Sequence, residues 1–534
     1  MSNRAKREDR LENLDGKEAG RAWRLAHKLD KLLESQQRQG NSADHTMEQI
    51  APWLMGELNL SGFGVRFFDK EKIWHELLFG DDDEKVLSIL DKKEEGEWED
   101  GMVCAVSLSV DGEAIGLLAA TFAKAPPPPG AILLLDVVGQ ELDNIFFEFR
   151  KARNRHIEVL EIEKRLQEPV LDITIDNTAR FIMERTNIEG IVVVYQEDLL
   201  EKAARSYRVY WHGAVLTTSD SGSENNLSDL LKEKTQPWAK EVLLAAGLTA
   251  KTVAKVQIPA GSQANQGFVV VAGPAEGLSR ANRELVQVFA IALGQRLVDY
   301  HKEQRWLQQF FSPSVVTRLL QERDYRERYL SPRERTAAIL FADITSFTAI
   351  SEQILSGPTE VGQFIDQWSD RVVNILWEHG GAFDKMVGDC VIGLFGPPFE
   401  DYTPAECVAR ALRAAIAIND FTAKMSGSPV VEKIKKSSVI PGLGVATGVN
   451  VGEVMVGTIG PNYDFTAFGR EMNNTARLQG VAGYREILVM VQAYEKLVAE
   501  KHPLLEKIEW GNVQEKAVKN VKEPLRFLEI EAIE

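Results

Sequence analysis

Three stretches of this chain carry residue types that together could hold a polyphosphate and a divalent cation. The first is Phe341-Ala342-Asp343-Ile344-Thr345-Ser346-Phe347-Thr348, in which an acid closes an apolar run. The second is Lys385-Met386-Val387-Gly388-Asp389, and the third runs from Asp464-Phe465-Thr466-Ala467-Phe468-Gly469 on to Asn473 and Arg477. An acid at the end of an apolar strand is unfavourable unless it is solvated, caps a helix or binds a cation. Capping alone would account for Asp343. Asp389 lies in the tight turn of the next hairpin, adjacent in the sheet, so two carboxylates converge, and oxygen-ligand metal binding explains that pair better than one cap does. Thr345, Ser346, Phe347 and Thr348 begin a helix whose first N–H groups are free to receive phosphate oxygens. Asn473 and Arg477 are four apart, so they share one helix face and can reach one ligand. The set reads as a nucleoside-triphosphate site.

Such residues need a scaffold to hold them. Beyond Ser331 the pattern reads β-α-β-β-α-β: strand 337–343, helix 361–377, hairpin 382–395, helix 404–425 and strand 442–449, the order of a ferredoxin-like core. Val361, Phe364, Ile365, Trp368, Val372, Ile375 and Leu376 form one stripe, so the first of these helices has a well-specified face for the sheet. Upstream, residues 1–40 read as a helix with Ala22, Leu25, Leu29 and Leu32 spaced as in a coiled-coil seam. Residues 41–165 read as a mixed domain. It has a strand at 65–68, a hairpin of 103–110 and 114–122 turned by Asp111-Gly112, a proline spacer at 126–129 and a helix over 132–166. The layout repeats in 166–300, with a helix at 173–186, strands at 191–195 and 205–211, a hairpin of 253–258 with 267–272, and a helix from 281. That last helix continues through Leu293, Leu297, Tyr300, Gln304, Leu307 and Phe311, alternating four and three, which predicts a parallel coiled-coil transmitter within 285–332.

Composition bounds the rest. A length of 534 residues exceeds what one core organises, so several folding units are expected in an α+β multidomain chain. Apolar residues at 44% and charged residues at 26% suit globular domains. A formal charge of -17 argues against nucleic acid or an anionic membrane as partner. Cys104, Cys390 and Cys407 are far apart without metal-ligand spacing, which fits a reducing compartment. No stretch approaches the ~20 apolar residues of a spanning helix, so a cytoplasmic location is expected.

From Arg333 to the C-terminus, the three motifs together resemble the class III nucleotidyl cyclase catalytic domain. The resemblance implies a homodimer with sites between protomers, each using two Mg²⁺ or Mn²⁺ ions. It implies Asp343, Ile344 and Asp389 as the metal-binding set, and Thr345, Ser346, Phe347 and Thr348 as the phosphate-facing turn. Lys385 would read the adenine ring, Thr466 would fill the second base-reading position, Asn473 would orient the ribose, and Arg477 would stabilise the transition-state phosphate. Lys519 would match the family's late phosphate lysine. Guanylate-forming members typically carry Glu and Cys at the two base positions, so the pair implies ATP as substrate and cyclic AMP as product. The alternative is a degenerate cyclase-homology domain acting as a dimeric scaffold or nucleotide sensor. Arg470 and Asn474 depart from the family run, Ser346 replaces a common glycine, and Gly442 stands where many members have a phosphate-binding arginine. The order of the two upstream modules resembles tandem GAF domains, which implies small-molecule-binding or dimerising sensors. The Asn-Lys-Phe-Asp-Glu signature of many cyclic-nucleotide-binding GAF domains is absent from both.

Overall fold

The structure, a computed structural model, describes residues 16–38, 43–69, 72–92, 96–98, 103–110, 113–124, 131–196, 207–211, 214–217, 252–260, 263–517 and 524–533. The Asp111-Gly112 turn, the prolines at 126–129 and Lys519 lie outside them. The chain divides into two compact units, Met1–Glu161 and Ile162–Glu534.

In the first unit, α1 (Gly16–Arg38) and α2 (Ala43–Leu58) precede five strands: β1 (Leu60–Asp69), β2 (Lys72–Gly80), β3 (Gly96–Trp98), β4 (Val103–Val110) and β5 (Glu113–Phe122). A short helix α3 (Asp83–Leu90) lies between β2 and β3, and α4 (Ala131–Leu166) follows β5. The sheet is antiparallel in the order β2-β1-β5-β4-β3. Its core joins Leu29, Leu54, Phe63, Val65, Leu118 and Leu135. The buried positions of α1 are Ala22, Leu25, Leu29 and Leu33, whereas Leu32 is 36% exposed. The expected seam through Leu32 is therefore corrected to a stripe through Leu33, which docks α1 on its own unit.

The second unit begins with a similar sheet. After α5 (Leu171–Arg185) come β6 (Gly190–Gln196), β7 (Tyr207–Trp211), β8 (Ala214–Thr217), β9 (Thr252–Ala260) and β10 (Gln263–Gly273), then α6 (Arg280–Leu307). The order is β8-β7-β6-β10-β9. In both sheets the first strand lies between the second and the last, and the last pairs with the penultimate. The fifth strand is added at opposite edges, β3 beside β4 in one and β8 beside β7 in the other. The repeat is thus real for four strands and broken at the fifth.

The predicted seam of α6 faces inward. Leu293 and Leu297 are fully buried with Leu285 and Phe289 under the second sheet. Leu307 and Phe311 are buried in the next cluster, with Val316 and Leu319 of α7 (Pro313–Leu320). Heptad spacing marks an apolar stripe without saying what covers it, and here the same chain covers those positions.

The C-terminal sheet is built on β11 (Arg333–Ile344), β12 (Gly381–Val387), β13 (Cys390–Phe395) and β14 (Val445–Ile459), with helices α8 (Pro358–Glu378) and α9 (Pro404–Lys424) crossing between strands. The order β12-β13-β11-β14, antiparallel throughout, is that of the expected ferredoxin-like core. Further elements extend it: α10 (Pro429–Lys435), β15 (Asp464–Phe468), α11 (Arg470–Gln479), β16 (Ile487–Met490), α12 (Val491–Ala499), β17 (Ile508–Trp510), β18 (Gln514–Lys516) and β19 (Leu525–Ile533). One sheet face, through Leu340 and Ala342, packs on Phe364, Trp368 and Leu412 of α8 and α9. The Trp368 indole donates to Thr422 Oγ1 at 3.0 Å, so the largest buried ring leaves no polar atom unpaired. The other face, through Ile339, Phe341 and Ile392, packs on Phe310, Phe311 and Phe465. Among the described residues no helix is long and apolar enough to cross a membrane.

Candidate active site

Strand register brings the two acids together. β11 and β13 pair so that Asp343 lies opposite Cys390, the residue after Asp389. Gly388, at φ +64°, makes the turn that delivers Asp389, a conformation glycine adopts freely. Burial raises the Asp343 carboxyl above the ordinary range, although Asp389 and Gln479 oppose the rise by hydrogen bonding to it. Burial first, and then the charge of Asp343, push Asp389 up to about 6. Two half-buried carboxylates that repel one another form an oxygen donor set suited to a hard divalent cation. Among the described residues no group of three or more His, Cys, Asp or Glu is arranged to hold a metal ion, so carbonyl, water or substrate oxygens would complete the coordination.

The turn after Asp343 differs from the expected helix start. Thr345 gives both its N–H and its hydroxyl to the Gly444 carbonyl, each at 3.0 Å. Its amide is therefore committed to tying β11 to the start of β14, which leaves Ser346, Phe347 and Thr348 as the phosphate-facing candidates. The helix begins as a short α turn, Phe347–Ala349, and runs straight into a π turn over Ile350–Ile354. Ser346 sits at φ +61°, a left-handed conformation that explains why glycine is common there. At Gly442 the nearest atom to an added Cβ would be the Tyr484 hydroxyl, 2.7 Å away. An arginine there would need Tyr484 to shift and would sit at φ +150°, a conformation side chains rarely adopt.

A second cluster forms where β15, paired with the far end of β14, leans toward β12. Lys385 Nζ lies 5.4 Å from the centre of the Phe468 ring, and Thr466 is two residues before Phe468 on the same face of β15. Asp384, beside Lys385, has a fully buried side chain.

The remaining pair sits on α11. Met472, Thr475 and Leu478 are buried, which leaves Asn473 exposed and Arg477 half-buried one turn apart. The departure at Asn474 has a structural reason. Asn474 is buried and donates to Glu471 Oε2 at 3.3 Å, and the same oxygen accepts from Asn450 at 2.9 Å and Gln492 at 2.8 Å. This cluster clamps α11 to β14 and α12. Gln479, at the end of α11, donates to Asp343 Oδ2 at 3.3 Å. Sequence reasoning missed Gln479 and Asp384. An acid next to Lys385 in a strand was the available signal for Asp384, and nothing local marked Gln479.

Residues 330–526 match the model of the adenylate and guanylate cyclase catalytic domain. The adenylate cyclase of Anabaena cylindrica is 30% identical over 149 residues, 28% of this chain and 27% of that protein. An uncharacterised protein of Mycobacterium tuberculosis is 28% identical over 156 residues, 29% of this chain and 26% of its own length. The similarity thus spans about a quarter of each relative. Among solved structures, the adenylyl cyclase CyaB from P. aeruginosa is 23% identical, with a TM-score of 0.34, covering 38% of this chain and 98% of that one. The guanylyl cyclase Cya2 is 22% identical, with a TM-score of 0.32, over 38% and 95%.

Proposed function

Since residues 330–526 are a class III nucleotidyl cyclase catalytic domain, we propose that this chain converts ATP into 3′,5′-cyclic AMP and pyrophosphate. The observation that carries the choice of ATP is the pairing of Lys385 with Thr466 on neighbouring elements. Lys385 donates to adenine N1, and the Thr466 hydroxyl accepts from the exocyclic amine. Guanine reverses both polarities and leaves both contacts unmet. The similarity to a protein known as an adenylate cyclase agrees with this choice.

The remaining residues take their roles from their positions. Asn473 holds the ribose so that its 3′ oxygen faces the α-phosphorus. A bond forms between that oxygen and phosphorus as the bond to the bridging oxygen of the β-phosphate breaks, and the hydroxyl proton passes to solvent. Arg477 offsets the negative charge that builds on the phosphate oxygens. Asp343 and Asp389, with Ile344, would hold Mg²⁺ or Mn²⁺, which when bound supplies Lewis-acid activation of the hydroxyl and charge neutralisation. Two copies of the chain supply each site: the acids come from one protomer, and Lys385, Thr466, Asn473 and Arg477 come from its twin. The two upstream modules act as GAF-like small-molecule sensors, and α6 carries their state to the catalytic domain.

Incubating the purified protein with ATP or GTP and each metal, and identifying the cyclised product, tests the proposal. Cyclic AMP is expected, with no product from Asp343→Ala. Arg477→Ala should lower kcat by roughly a hundred-fold or more, the range seen for lost charge-stabilising donors. ATP binding without turnover in the wild type would overturn the enzymatic reading.

A further inference from the structure

One buried carboxyl beside the base-reading pair has no task in the chemistry above. Phe383 pairs with Gly393 and Lys385 with Ile392, so Asp384 is the extra residue of a bulge in β12. Bulges re-aim side chains, and this one places the Asp384 side chain at 0% exposure. Thr466 and the backbone of Ala467, both on β15, are its neighbours there, and Lys385 Nζ, on its own strand, is the charged group facing it at 3.8 Å. Neither Asp384 oxygen completes a hydrogen bond, and the Thr466 hydroxyl, on a residue 4% exposed, is also unpaired. An acceptor and a rotatable donor thus sit together, buried and unsatisfied.

We propose that Asp384 is a positioning residue for base choice: its carboxylate takes the hydrogen bond of the Thr466 hydroxyl, leaving Thr466 Oγ1 to face the purine as an acceptor. The inference rests on Lys385 and Thr466 being the base readers. A hydroxyl has one proton to give. With that proton turned toward Asp384, the outward lone pair suits the 6-amino group of adenine and opposes the 6-carbonyl of guanine. A neutral side chain at 384 inverts the arrangement. A carboxylic acid or an amide donates to Thr466 Oγ1, and the hydroxyl proton then turns outward, toward a carbonyl. Burial pushes the Asp384 carboxyl up to about 6, with Thr466 and Lys385 holding it back, so the inversion lies within reach of ordinary assay conditions.

The test measures kcat and KM for ATP and for GTP with the full chain and with Asp384→Asn, between pH 5.5 and 8. At pH 7.5 the variant should lower the ratio of kcat/KM for ATP over GTP by on the order of tenfold, and its ratio should be flat with pH. The wild-type ratio should fall as pH drops through about 6. In a Thr466→Val background, Asp384→Asn should leave the ratio unchanged, since the hydroxyl it acts through is gone. A folded Asp384→Asn with the wild-type ratio, or a wild-type ratio flat across the range, overturns the inference. If Asp384→Asn does not fold, the wild-type pH profile decides. If the wild type makes no cyclic nucleotide, the proposed function is what has failed, and the ratio of dissociation constants for ATP and GTP across the same pH range decides the inference. Equal affinity for both purines then overturns it.

Discussion

Burial holds the carboxyls of Asp343 and Asp389 above the ordinary carboxylate range, and the charge of Asp343 adds to the rise at Asp389. A folded pKa above the unfolded one means that protonation favours the fold. Ionised Asp389 therefore destabilises the protein above about pH 6, and this disadvantage fades as pH falls toward the unfolded value of about 4. Asp389→Asn should accordingly abolish cyclisation while raising the Tm of chelator-treated protein at pH 7.5, and the gain in Tm should shrink at pH 4.5. A Tm unchanged or lowered at pH 7.5 would contradict the repulsive pairing. Residue types and spacing drew attention to the acids Asp343 and Asp389 and to the Asn473 and Arg477 pair, and the family resemblance gave Lys385 and Thr466 their expected roles. Asp384 was marked only as an acid beside Lys385, its burial depending on a bulge, and Gln479 was not legible, since its meaning comes from a helix end meeting a strand far away in sequence. Thr345 was legible as part of the turn, but not as a group already bonded to Gly444.

Helix α11 lies closer to β14 than side chains would ordinarily permit. A Cβ added at Gly448 would stand 2.8 Å from the Gln479 amide nitrogen and 3.0 Å from the Thr475 carbonyl, both backbone atoms that cannot swing away. Gly448→Ala should push α11 outward and displace Asn473, Arg477 and the Gln479 contact to Asp343. The expected outcome is a Tm loss together with a fall in kcat for ATP of at least ten-fold, since small misplacements of positioning groups have large effects. Wild-type kcat with unaltered Tm would show that the close approach is dispensable. At this scale the hairpins of β4 with β5 and β12 with β13 and the helix α9 follow from alternation and helical period within a residue or two, whereas α8 begins at 358 rather than 361, β11 at 333 rather than 337, and β14 runs over 445–459 rather than 442–449. The coil seam on α6 does not follow, because period reports burial and is silent on whether the covering surface belongs to the same chain.

Length and pattern anticipated several folding units, and three separate sheets are present among the described residues. Less visible was where the catalytic unit begins. The family match starts at residue 330, and the motif-based boundary falls at 333, yet Leu307, Phe310, Phe311, Val316 and Leu319 are buried under the catalytic sheet. A fragment of residues 310–534 should stay soluble and turn over ATP at a rate different from the full chain, whereas 330–534 should expose that apolar underside and aggregate. Size-exclusion chromatography and product assays on both fragments check this, and equal solubility would contradict it. The carbonyl of Phe310 accepts from the Phe383 N–H at 2.8 Å and from the Trp377 indole at 3.2 Å. Phe383 adjoins the bulge in β12, two residues before Lys385. A pull on α6 passed through Phe310 would thus be felt at the strand that carries Lys385, the proposed base reader. An upstream stimulus relayed along this route would register as altered purine selectivity while the demand for divalent ion stayed constant.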